Sequence, residues 1–321
     1  MGDNPEDWNR QDAKAAKSVR MRSKTRMRAR RLARFAVTAA VIAGVSVLGS
    51  RWQARVLPGT IARKLSLDGS ERTYFLHPGS ASTKAGLVLL LHGAGGYGGG
   101  IERRTRFDAV AERAGVVVAY PDAMAAVWHD GWWSSSGDDV RFLTALADLL
   151  VAEFSIDPAR VYAAGFSNGA CMAHRLACES DRFAAVAAVS GNMPSDMANR
   201  CSNGKAVSVI DLHGTDDATV PYDVQLTRTI GHWVTHDECA EPGETVQLPD
   251  TDPDDGTRVR VESHARCRAG AEVALYTVEG GGHTWPGEDL QWFRLRRPGN
   301  ISRDIDASQI VLDFLLRQPR R

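Results

Sequence analysis

The sequence predicts an α/β protein built around a mostly parallel, doubly wound sheet. Two observations carry that expectation. Short runs dominated by apolar residues recur at 87–91, 116–120, 161–164, 183–189, 207–212 and 273–278. Runs of this length with little polar alternation suit strands covered on both faces. Between them lie longer segments with helical character, at 101–114, 139–154, 168–177, 222–236 and 304–316. Strands alternating with helices argue for parallel neighbours joined by crossovers. With 321 residues, 43% of them hydrophobic, the chain can bury the core such a sheet needs.

The elements follow in order. Residues 1–34 carry 11 Lys/Arg against 4 Asp/Glu, and the remainder carries 28 against 35. The overall balance of 39 and 39 is therefore a cancellation between a basic start and an acidic body. Arg28-Ala29-Arg30-Arg31-Leu32-Ala33-Arg34 runs straight into 35–49, which holds no charge. A cationic region followed by a short apolar one is the pattern of an export signal, and 35–49 is shorter than the roughly 20 residues of a usual membrane span. Residues 1–50 are thus expected to be a basic n-region with a signal peptide or an uncleaved anchor, and 51–321 a single domain outside the cytoplasm. Arg30-Arg31 leaves the general and twin-arginine routes open, and Val47 and Gly49 are possible small residues before a cleavage site. The membrane is expected to be met only through this segment. The acidic body argues against a nucleic-acid partner.

Ile61–Leu67 and Arg72–Leu76 read as an antiparallel hairpin about Asp68-Gly69-Ser70. The five cysteines suit an oxidising compartment. Cys239 and Cys267 bracket a polar, acidic stretch, so 239–270 is expected to be an insertion or cap loop pinned by their disulfide. Cys178 and Cys201 form the second expected pair, leaving Cys171 free on an apolar helix face. The alternative is five reduced, buried thiols.

Chemistry is expected where the strands end, since ligands of such sheets bind at the carboxyl edge. After the run 161–164 stands Gly165-Phe166-Ser167-Asn168-Gly169, then a helix. This G-x-S-x-G in a strand–turn–helix setting would place the Ser167 hydroxyl at a sharp, exposed corner. Such a serine needs a general base, and the base needs an orienting carboxylate. The run 207–212 delivers His213-Gly214-Thr215-Asp216-Asp217, where either Asp216 or Asp217 could be the acid. The next strand ends in Gly280-Gly281-Gly282-His283, which offers the base. The N–H of Asn168 and that of Ala94, or of neighbouring Gly93, in His92-Gly93-Ala94-Gly95-Gly96 are the expected donors to a developing oxyanion. His92 and His213 read as structural loop histidines. His232 and His236 are i,i+4 on a helix, but Trp233 stands where a zinc protease would carry Glu, so they read as a helix face. The chemistry calls for no metal and no cofactor.

Together Leu91-His92-Gly93, 156–162, Gly165-Phe166-Ser167-Asn168-Gly169, His213-Gly214-Thr215-Asp216-Asp217 with Val220-Pro221-Tyr222, and 281–287 resemble a family of secreted esterases. It includes polyhydroxybutyrate depolymerases, feruloyl esterases and acetylxylan esterases, and the likeness spans most of 58–318. The resemblance implies the α/β-hydrolase fold, here with an N-terminal hairpin and a small disulfide-pinned excursion. It also implies ester hydrolysis by Ser167, Asp217 and His283, with Asp216 as the variable residue. Cys171, where relatives usually carry an apolar residue, and the long basic start depart from the pattern. For substrate, Trp128, Trp132, Trp133 and Trp285 could stack on a feruloyl ring or a sugar, or else fill core. Without a legible polymer-binding segment, the expectation leans to feruloyl-type esters of plant polysaccharide, ahead of polyhydroxyalkanoate or acetylxylan. A monomer is favoured. The non-enzyme alternative is a silent envelope protein on the same fold.

Overall fold

The computed structural model describes residues 56–80, 85–131, 139–194, 196–201, 204–240, 242–288 and 299–318. The expected n-region and apolar segment at 1–50 lie outside them, as do Trp132 and Trp133.

The described residues open with the predicted hairpin, β1 (Ile61–Leu67) and β2 (Ser70–His77). Leu67 pairs with Ser70 across a two-residue turn, Asp68-Gly69, in which both residues have positive φ. That turn matches the right-handed twist of paired strands. There follow β3 (Gly86–Leu91), α1 (Gly98–Thr105), α2 (Phe107–Ala114), β4 (Val116–Pro121) and α3 (Asp139–Phe154). Next come β5 (Val161–Phe166), α4 (Asn168–Glu179), β6 (Ala185–Val189), β7 (Ser208–Gly214) and α5 (Val224–His236). The described elements close with β8 (Glu244–Gln247), β9 (Arg258–His264), β10 (Val273–Glu279) and α6 (Ala307–Leu316). The strands form one sheet in the order β1-β2-β4-β3-β5-β6-β7-β10-β9-β8. From β4 to β10 neighbours are parallel, and antiparallel pairs flank that centre on both sides.

The pleat explains why the central strands read as nearly unbroken apolar runs. Leu87, Leu89 and Leu91 of β3 enter one core with Leu146 of α3, Leu176 of α4 and Trp233 of α5. Val88 and Leu90 point the other way, into a core with Phe107 and Val110 of α2 and Leu312 and Leu315 of α6. Each face needs its own apolar set, so alternation disappears.

Two expectations change. The single helix read over 101–114 is two helices, broken at Arg106 with φ 50°. The excursion 239–270 is pinned by the Cys239–Cys267 bridge as expected, yet it also supplies β8 and β9, which extend the sheet edge. The Cys178–Cys201 bridge ties the end of α4 to the loop before β7, and Cys171 is free and buried. No helix among the described residues is long and apolar enough to cross a membrane.

Candidate active site

Ser167 stands between β5 and α4 with φ 57° and ψ −122°. L-residues avoid this region, and a residue held there marks a corner fixed by its surroundings. The Ser167 N–H donates to the Val189 carbonyl at 2.8 Å, and its own carbonyl accepts from Ala170 and Cys171 N–H. Glycine makes the close approach possible. A Cβ at Gly169 would sit 2.6 Å from the His92 carbonyl oxygen, and one at Gly93 would sit 3.2 Å from Ser167 Cβ. The loop after β3 therefore lies directly against the serine corner.

The structure brings the three sequence-predicted side chains together. Ser167 Oγ is 3.0 Å from His283 Nε2, and His283 Nδ1 is 2.7 Å from Asp217 Oδ2. Asp217 is buried, and its other oxygen accepts from the Thr219 and Val220 N–H groups, each at 2.8 Å. Burial works against its ionisation, but the His283 hydrogen bond and charge with these two amides outweigh it. The carboxyl is held below the usual Asp value. The neighbouring Asp216 is exposed, and its N–H is tied to the Gly281 carbonyl at 2.8 Å. Of the two acids, Asp217 is therefore the one in contact with His283.

Asn168, as first residue of α4, carries an N–H with no acceptor one turn back. Ala94 is exposed on the loop that touches the serine corner. The Asn168 side chain clamps the loop after β4. Its Oδ1 accepts from Trp128 N–H at 2.7 Å, while its Nδ2 donates to the Trp128 carbonyl at 3.2 Å and to Asp130 Oδ2 at 2.6 Å. The sequence shows an amide directly after the serine but not the distant loop that it clamps. His92 is structural as expected. Its Nε2 accepts from Ala123 N–H at 3.0 Å while Nδ1 faces the Gly93 carbonyl at 2.8 Å, and burial lowers its pKa. His213, expected in a loop, is a buried residue of β7.

The aromatic expectations need correction. Trp285 is 1% exposed; it packs in the core beneath α6, and its indole N–H donates to Ser308 Oγ at 3.0 Å. It anchors the His283 loop and presents no face to a ligand. Trp128 is likewise enclosed, donating to the His92 carbonyl at 2.9 Å. Trp132 and Trp133 fall outside the described residues. Cys178, Cys201 and His232 offer atoms within 4.8 Å of one another, but the two sulfurs are bonded to each other.

Known proteins resemble this chain. The family described as Esterase PHB depolymerase matches residues 71–221. "Putative esterase NocK" of Nocardia uniformis subsp. tsuyamanensis is 34% identical over 291 residues, spanning 80% of this chain and 83% of its own length. "Feruloyl esterase B" of Piromyces equi is 24% identical over 65% of this chain, and "Feruloyl esterase C" of Emericella nidulans 30% identical over 44%. The chain spans only 41% and 52% of the lengths of those two. Among solved structures, "Acetyl xylan esterase from Aspergillus awamori" superposes with a TM-score of 0.55 at 17% identity, covering 70% of this chain and 94% of that one. A thermostable esterase gives 0.50 at 17% identity over 82% of this chain and 64% of its own. These likenesses show the α/β-hydrolase fold. The chain belongs to the polyhydroxybutyrate depolymerase and feruloyl esterase family of carboxylic ester hydrolases.

Proposed function

We propose that this protein is a secreted serine carboxylesterase acting on feruloyl and related hydroxycinnamoyl esters. The observation that carries the serine mechanism is the continuous line from Ser167 Oγ through His283, 3.0 Å away, to Asp217, 2.7 Å further on. His283 takes the hydroxyl proton as Ser167 attacks the ester carbonyl, then gives it to the leaving alcohol. It next activates the water that hydrolyses the acyl-serine. Asp217 fixes the ring so that Nε2 faces Ser167, and it stabilises the imidazolium. The N–H groups of Asn168 and Ala94 receive the oxyanion, an interaction worth about 10²–10³ in rate for each donor.

The hydroxycinnamoyl reading draws support from the relatives named feruloyl esterases. Trp132 and Trp133 are the remaining aromatic candidates for the acyl ring, since Trp128 and Trp285 are enclosed. A second reading, deacetylation of xylan, is favoured by the Aspergillus awamori structure and by a "Bifunctional acetylxylan esterase/xylanase" of Neocallimastix patriciarum. Secretion is supported by the basic and apolar start of the chain and by its two disulfides. Methyl ferulate, acetylated xylan and hydroxybutyrate oligomers, assayed side by side, test the substrate. The highest kcat/KM is expected on methyl ferulate, and preference for either other ester overturns that assignment. Ser167→Ala is expected to lower kcat by about 10⁶ while the fold persists.

A further inference from the structure

Behind Asp217 lies a buried polar chain that the ester mechanism does not use. Asp211 and His213 sit two apart on β7, so both project toward the core beneath α4 and α5. Their side chains are fully buried, as is that of His174 on α4. Asp211 Oδ2 is 3.5 Å from His174 Nε2, Asp211 Oδ1 is 3.8 Å from His213 Nδ1, and His213 Nε2 is 3.5 Å from Asp217 Oδ2. The last oxygen is the one that holds His283.

The hydrogen bonds at the two ends fix where protons must be. Trp233 Nε1–H donates to His174 Nδ1 at 3.2 Å, so the His174 proton sits on Nε2 and faces Asp211. His213 Nε2 lies 2.8 Å from the Val220 carbonyl, which can only accept, so that nitrogen carries a proton too. What remains is His213 Nδ1 opposite Asp211 Oδ1, with no other partner for either among the described residues. Two bare acceptors would repel there, and one further proton resolves the contact. His213 is flanked by the carboxylates of Asp211 and Asp217 and by a carbonyl, an environment that keeps the proton on the imidazole.

We propose that His213 is a permanently protonated positioning residue, an imidazolium paired with Asp211 that acts through Asp217 on the acid limb of turnover. This rests on the serine-esterase reading above. The positive ring 3.5 Å from Asp217 Oδ2 competes with His283 for that carboxylate. Its charge thereby extends activity to lower pH. Burial alone would lower the His213 pKa, but Asp211, the Val220 carbonyl and Asp217 outweigh it and raise it. The other groups around the pair are Cys171 and His174 of α4, Trp233 of α5, Tyr222 after β7, and Thr277, which pairs with His213 across β10. Among these, Cys171 is kept neutral by its burial.

Asp211→Asn separates this role from simple packing. An Asn there can still accept from His174 and can donate to the bare His213 Nδ1, so both contacts persist while the ion pair is gone. The acid limb of kcat/KM is expected to move up by roughly 0.5–1 pH unit, with KM unchanged, and His213→Gln should move it the same way. A limb that stays in place in folded Asp211→Asn overturns the proposal. Ring nitrogen-15 NMR of the wild-type chain provides the second readout, independent of turnover and of whether the variants fold. Both His213 nitrogens are expected to be protonated from pH 5 to pH 8, and a neutral His213 at pH 7 overturns it. Loss of the serine assignment would instead appear as undiminished turnover in Ser167→Ala, with the His213 resonances unaffected.

Discussion

The carboxyl edge of the central strands and the outer flanks of the sheet are held by different physics. At the centre, β3, β5 and β7 are buried on both faces, and their exits are fixed by glycine contacts and backbone hydrogen bonds around Ser167. At one flank, β8 is exposed along its length and β9 only partly covered, and a disulfide closes the segment. At the other, β1 has an exposed, alternating pattern. Tight packing defines the geometry on which chemistry depends, whereas the flanks need only remain attached. Changes at the centre should therefore alter turnover, and changes at the flanks should alter stability alone.

The largest separation expected at the centre is between the adjacent acids. Asp217→Asn should lower kcat by about 10⁴, because the His283 ring loses its orienting carboxylate, whereas Asp216→Asn should leave kcat unchanged. Steady-state kinetics of the two variants checks this, and equal losses would erase the distinction drawn between a buried and an exposed Asp. Gly169→Ala should destabilise by about 1–3 kcal/mol or more and lower kcat as well, since its methyl would press on the His92 carbonyl and shift the serine corner. Urea unfolding and kinetics on one preparation test the coupling.

At the flank, replacing Cys239 and Cys267 together with Ser should cost about 2–4 kcal/mol with kcat retained, as read by denaturation under oxidising conditions. A loss of kcat at full stability would show that the outer strands reach the site. The smallest effect concerns Glu102 of α1, fully buried against Thr60 at the β1 end. Burial pushes its carboxyl up to about 8; the Thr60 hydrogen bond opposes this, and nearby Asp108 adds to it. The folded chain then keeps a proton that the unfolded chain releases near pH 4.5, so this contribution is full below that pH and is lost as pH rises toward 8. Glu102→Gln should raise Tm more at pH 8 than at pH 5, and an equal gain at both would contradict it.

The same contrast explains what could be read from sequence. The central strands declare themselves because burial on both faces demands unbroken apolar runs, and the glycines around Ser167 and His283 mark where backbones must approach. β9 stayed hidden because Arg258, Arg260 and Glu262 alternate with smaller residues amid acidic loops, so its pattern resembled surface. The helix break at Arg106 has no glycine or proline to announce it. Trp285 and Trp128 were open to two readings because the groups that receive their indole N–H, Ser308 Oγ and the His92 carbonyl, come from distant parts of the chain. Asp211 carries a further signal. A carboxylate inside an otherwise apolar strand run needs a buried partner, and His213, two residues on, supplies one, although a histidine at the end of an apolar run reads as a loop residue.

The central claim is that Ser167 is the acyl-carrying nucleophile, and covalent trapping tests it most directly. The folded protein treated with a fluorophosphonate and analysed by peptide mass spectrometry is expected to carry one adduct, on Ser167. That adduct should disappear in Ser167→Ala and diminish strongly in His283→Ala. An adduct on another residue, or a fully active protein with Ser167 unlabelled, would contradict the account.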